Sequence, residues 1–175
     1  MRITSFFFFL SMVLLISSCE PEKDDIDISD IQLDLSVKRL EQDLFETPSE
    51  NLEAKIPEIQ KKYGNFFNIY TQAVLQIGSP EKDGFVYNLK NFTTDPDIKE
   101  VYQQCDKKYN DFTPYERQLT DAFKRFQHYF PDSVVPCIVT NISGFNYAAI
   151  ASDSTLAIWY WAMFVSWNSS TSRWT

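Results

Sequence analysis

The sequence predicts an α+β fold: an N-terminal strand, a helical block, then strands pairing in an antiparallel or mixed sheet. Three observations predict it. Apolar residues alternate at Ile31, Leu33, Leu35 and Val37, the period of a half-buried strand. From Leu52 to Phe130 they recur at helical spacing instead, punctuated by Gly64, Gly78 and several prolines. After Pro131 come two runs of strand character, Val134–Thr140 and Tyr147–Ile158, joined by NISGFN, which reads as a turn. With 175 residues, 44% hydrophobic and 16% aromatic, the chain is long and apolar enough for one domain with a core.

Ahead of the fold lies an address label. MRITSFFFFLSMVLLISSCE carries one positive charge, an apolar run from Phe6 to Ile16, and small residues before Cys19. A run of about eleven residues is too short to cross about 30 Å of hydrocarbon as a helix, and has the size of a signal-peptide core. Ile16-Ser17-Ser18-Cys19 resembles the lipobox, after which Cys19 carries diacylglycerol and an acyl chain. Residues 1–18 are thus expected to be a lipoprotein signal peptide and Cys19 the lipid anchor to the membrane. Residues 19–30, which include EPEKDDIDISD, are acidic and aperiodic, a flexible tether. Lys23-Asp24-Asp25 resembles the signals that export lipoproteins to the outer face of the outer membrane, and a solvated tether explains it equally. The net charge of −8 excludes nucleic acid as a partner and excludes charge attraction as the main membrane anchor.

The predicted domain spans 31–158. A strand over Ile31–Val37 runs into a helical turn through Leu40, Leu44 and Phe45. A helix follows with Thr47 or Ser49 as N-cap, Leu52, Ile56, Ile59 and Tyr63 on one face, a kink or late start at Pro57, and an end at Gly64. Phe66, Phe67, Ile69, Tyr70, Val74 and Leu75 form the apolar face of the next helix, and Gly78-Ser79-Pro80 a turn. A short helix near Phe85–Leu89 precedes one with Pro96 in its first turn. The clearest helix is TPYERQLTDAFKRFQHYFP, with Thr113 as N-cap and Pro114 at the first helical position. Its stripe of Tyr115, Leu119, Ala122, Phe123, Phe126 and Phe130 is expected to be core.

The residues offer little chemistry. His128, the single histidine, falls off the stripe and reads as surface. There is no H-E-x-x-H and no G-x-S-x-G, and four glycines cannot build a phosphate-cradling loop. Asp24-Asp25 and Asp106 lack calcium-loop spacing and read as solvated. Cys105 and Cys137 could pair in an envelope compartment; a buried free thiol is the reading favoured for Cys137. No catalytic, metal or cofactor residue is assigned, and no cofactor is expected.

The lipobox, VKRLEQDLF, YGNFFNIYTQAVLQIG, AFKRFQHYFP and VTNISGFNYAAIA together resemble the gliding-motility lipoprotein GldB family of the Bacteroidetes, in its order and up to Ile158. The resemblance implies an envelope lipoprotein, on the periplasmic face or the cell surface, serving gliding and its secretion machinery. It also implies a fold like the N-terminal half of a zincin-like domain, whose altered metal-binding helix would lie downstream of Thr175. Apart from Cys19, no functional residue carries over.

All four tryptophans, Trp159, Trp161, Trp167 and Trp174, follow Ile158. Family members resemble IGLxxYLG at that point. Codons for Trp159–Trp167 read one base on permit GIGLCLYLG. Residues 159–175 are therefore expected to be an out-of-frame tail on an incomplete fold, leaving the strands near Val134 and Leu156 without partners. The function expected is a non-enzymatic accessory or scaffold lipoprotein of the outer membrane. The alternatives are a fragment of a peptidase-like envelope enzyme and a lipoprotein that binds a ligand or glycan through its aromatics.

Overall fold

The structure is a computed structural model that describes residues 26–143, 149–152 and 154–159. Four strands, β1 (Val37–Arg39), β2 (Cys137–Asn141), β3 (Ala149–Ser152) and β4 (Thr155–Trp159), form one sheet in the order β1-β2-β4-β3. β1 and β4 flank β2 and run parallel to it; β3 pairs antiparallel with β4. Between β1 and β2 lie α1 (Leu40–Phe45), α2 (Leu52–Tyr63), α3 (Asn65–Ile69) continued by a π-helical turn (Tyr70–Val74), α4 (Phe85–Thr94), α5 (Pro96–Tyr109) and α6 (Thr113–Tyr129). A strand, a helical block and a mixed sheet make the α+β class. The chain divides into Met1–Asp30 and Ile31–Thr175. Of the first unit, the described part includes a local bond from Ser29 N–H to Asp27 Oδ1 at 2.9 Å. Cys19, Lys23 and Asp24-Asp25 lie outside the described residues, as do 144–148 and 160–175.

One face of the sheet supplies Val139, Ala157 and Trp159 to the main core, where they meet Leu40, Leu44, Leu52, Phe67, Tyr70 and Leu89. The helical spacing read for α2 is the buried set: Leu52, Ile56, Ile59 and Tyr63. The helix starts at Leu52 and runs through Pro57, so the proline does not delay it. Its missing N–H strands only the Glu53 carbonyl, and both residues are exposed, so water can satisfy it. Gly64, at φ 56°, ends α2 as expected, donating to the Gln60 carbonyl at 2.8 Å.

Several local expectations shift. The alternation over Ile31–Val37 is real, since Ile31, Leu33, Leu35 and Val37 are each less exposed than Gln32, Asp34 and Ser36. Only Val37–Arg39 pairs, however. Register sets Val37 opposite Ile138, so Leu35 would face Pro136, which has no N–H to give. For the same reason β2 starts at Cys137 rather than Val134, which is exposed. The strands near Val134 and Leu156 do not lack partners: β2 and β4 are interior, and the edges are the short β1 and β3. Neither Thr47 nor Ser49 caps α2; Asn51 takes that position, and the Thr47 hydroxyl donates to the Asp43 carbonyl at 2.7 Å. In α6 the cap lies before Thr113, because Asp111 Oδ1 accepts its backbone N–H at 3.0 Å.

The largest correction concerns α6. Its aromatic stripe is not core: no residue of the helix is buried, and Phe126 and Phe130 are 39% and 56% exposed. Tyr115 alone of the stripe packs against a second cluster, built on Cys105, Tyr109 and Ile142. Nor does the stripe mark the better-covered face: Ala122, Phe126 and Phe130 are exposed, while Glu116, Thr120, Lys124 and Gln127 are half-buried alongside Tyr115, Leu119 and Phe123. His128 is exposed, as read.

Candidate functional site

The carboxyl ends of parallel strands are where α/β sheets gather functional groups. Here β1 passes without a loop into α1, so Arg39 and Glu41 lie beside Thr140 at the end of β2. Glu41 is 1% exposed. Its Oε1 takes the Arg39 Nε–H at 2.5 Å and its Oε2 the Thr140 hydroxyl at 2.8 Å. The Arg39 guanidinium lies 5.2 Å from the centre of the Phe112 ring. Burial raises the Glu41 pKa, and Arg39 opposes that rise. Both carboxylate oxygens hold neighbouring elements together, so the group is a clamp between α1, β1 and β2 rather than an accessible acid.

Behind it, on the core face, Tyr70 is fully buried and donates its hydroxyl to the Ile142 carbonyl at 2.6 Å, tying the π-helical turn to the end of β2. Burial pushes its pKa well up, which keeps it a donor. Asn141 and Ser143 are buried at the same end, and Asn141 Nδ2, Asn141 Oδ1 and Ser143 Oγ have no hydrogen-bond partner among the described residues. Asn141 sits opposite Trp159, so its amide shares the apolar face of the sheet. Such orphans cost roughly 1–3 kcal/mol each.

Both sulfurs in the described fold are free thiols, so Cys105 and Cys137 are not paired. Cys137 is free, as read, but half-buried rather than buried, because it opens its strand beside Ser36; Cys105 is the buried thiol. Burial pushes the Cys105 thiol up to about 12, so it is a poor nucleophile. Asp106, read as solvated, is half-buried, and its Oδ1 has no partner. Among the described residues no group of three or more His, Cys, Asp or Glu could hold a metal ion. None of their helices is long and apolar enough to cross a membrane.

Sequence reading missed Glu41. The signal was present: Glu41, Leu44 and Phe45 share helical spacing, which puts the carboxylate on the inward face.

The fold and its clamp define a class: an α+β module whose buried polar groups hold secondary structure together. The chain belongs to the family Gliding motility protein GldB, which it matches over residues 21–165. No curated protein and no solved structure matches it. The matched span begins two residues behind Cys19 and continues past Ile158, the limit of the resemblance read from sequence, to Val165. Trp159, the first residue of the expected tail, is fully buried at the end of β4.

Proposed function

We propose that this gliding-motility lipoprotein is anchored through lipid on Cys19 to the outer membrane and acts there as a non-enzymatic accessory or scaffold. The family match carries the reading, and its span, residues 21–165, takes in the acidic tether together with the fold. The leader, the cysteine and the acidic tether supply the anchor. What supports a scaffold is the use of the buried groups: Glu41, the most deeply buried acid among the described residues, is occupied by Arg39 and Thr140. The test is complementation of a strain lacking the gene. The wild-type chain should take up labelled palmitate, sediment with outer membranes and restore spreading, while Cys19→Ala loses all three. Spreading restored fully by Cys19→Ala would refute the anchor.

The carboxy-terminal part of the reading is that the frame changes just before Trp159, replacing GIGLCLYLG. Sequencing from the codon of Thr140 to well past the stop tests it. An open frame resuming at GIGL supports the change, and a confirmed sequence without one removes it.

A further inference from the structure

We propose that the shallow, amide-lined surface around Gln76 binds a neutral oligosaccharide, with N-acetylated hexoses the class that fits best. The site lies apart from the Glu41 clamp and does not depend on the anchor. Two adjoining shallow depressions, open to solvent and of about 580 and 430 Å³, share Gln76. Gln72 and Lys82 line one, and Asn88, Asn91, Phe92 and Asp95 the other.

The lining is rich in amides and balanced in charge. Among the described residues, Lys82 and Asp95 are its only ionisable groups, one of each sign. Oδ1 of Asp95 is already engaged, accepting the N–H groups of Asp97 and Ile98 at 2.9 and 3.1 Å. A charged ligand would therefore find little to select it. Each amide offers a donor and an acceptor, as do a sugar hydroxyl and an acetamido group. Phe92 is half-buried, its ring held edge-on to Phe45 at 5.8 Å, and adds an apolar wall for the C–H face of a sugar.

Gln76 is the second observation. Among the described residues the positive-φ positions are Gly64, Gly78, Gly84 and Gln76, so Gln76, at φ 55°, is the one that is not glycine. It follows the π-helical turn, where Leu75 N–H bonds the Tyr70 carbonyl at 2.8 Å and Ile77 N–H the Thr71 carbonyl at 2.9 Å. That is the helix-end position at which glycine is ordinarily found, since a side chain there is strained. The Gln76 side chain is exposed, so core packing does not account for it. Asn88 Nδ2 braces the loop by donating to the Ile77 carbonyl at 3.1 Å. A strained side chain kept on a braced turn, facing solvent between two hollows, points to a contact with a ligand.

The test uses the full chain in detergent micelles, with its Gln and Asn side-chain amides followed by NMR. N,N′,N″-triacetylchitotriose, maltotriose and trialanine are titrated separately. Saturable shifts with chitotriose at Gln76 and Asn91 are expected. Gln76→Gly should weaken binding about tenfold, the loss of a hydrogen bond or two, while its melting temperature holds or rises as the strain is relieved. Asn91→Ala, on an exposed helix face, should weaken binding without unfolding the chain. No saturable shift at millimolar sugar, unchanged binding by both variants, or tighter binding of trialanine would each overturn the proposal.

Discussion

Helices α2 and α6 carry the same kind of amphipathic stripe and meet different fates. In α2 the inward residues Leu52, Ile56, Ile59 and Tyr63 are 0%, 6%, 1% and 5% exposed. In α6 and at its C-cap the comparable aromatics Phe126 and Phe130 are 39% and 56% exposed. α2 is fixed at its last turn, where the Tyr63 hydroxyl and Lys62 Nζ both donate to Asp43 Oδ2, and Lys38 Nζ donates to the Lys62 carbonyl. α6 is held mainly by its first turn, through Phe112 and Tyr115 beside Tyr109. Further along, its rings rest on one another, with centroids 6.4 Å apart for Phe123 and Phe126 and 5.1 Å for Phe126 and Phe130. A 3.6-residue period thus defines a face, and the element packed over that face decides whether it stabilises the fold.

The contrast should show first in stability. Phe67→Ala removes a fully buried ring and should cost about 3–5 kcal/mol. Phe126→Ala should cost less, about 1–2 kcal/mol, because the ring is 39% exposed and its loss leaves no enclosed cavity. Urea midpoints for the two variants check the pair, and equal losses would break the comparison.

Arg39→Ala should destabilise nearly as much, about 3–5 kcal/mol, because Glu41 is then buried without its cation. A pH profile sharpens this. Burial raises the Glu41 pKa above its usual 4.5, so the folded state binds the proton more tightly than the unfolded chain. Its contribution is therefore full below pH 4.5 and lost as pH rises through the folded value. Glu41→Gln should flatten that part of the profile of urea midpoint against pH; an unchanged slope would assign the dependence elsewhere.

Asn141→Leu is expected to act in the opposite direction. Replacing an amide that has no partner by an apolar side chain of similar size should stabilise by about 1–3 kcal/mol. Calorimetry would reveal a destabilisation instead if a partner for that amide exists. The smallest effect belongs to a helix end: Asp95→Ala, which removes two accepted N–H bonds at the start of α5, should cost about 1 kcal/mol.

What was legible in the sequence was local. Pro96 announces a helix start and Gly64 an end, because those signals act within a few residues. The inward set of α2 follows from spacing alone. Sheet order did not follow, since a period of two says that a strand has a buried face without naming its neighbour. The β1–β2 pairing spans about a hundred residues, and only the structure reveals it as parallel. Glu41 was passed over because a carboxylate is ordinarily placed in solvent, although its spacing pointed inward. Nothing in TQAVLQIG signals that Gln76 takes a conformation usual for glycine.

Native-state hydrogen exchange tests the central contrast most directly. Amides of α2 should exchange only through global unfolding, and those of α6 beyond its first turn at least about tenfold faster, through local opening. Equal protection along both helices would show that the α6 face is covered in solution and would contradict the account.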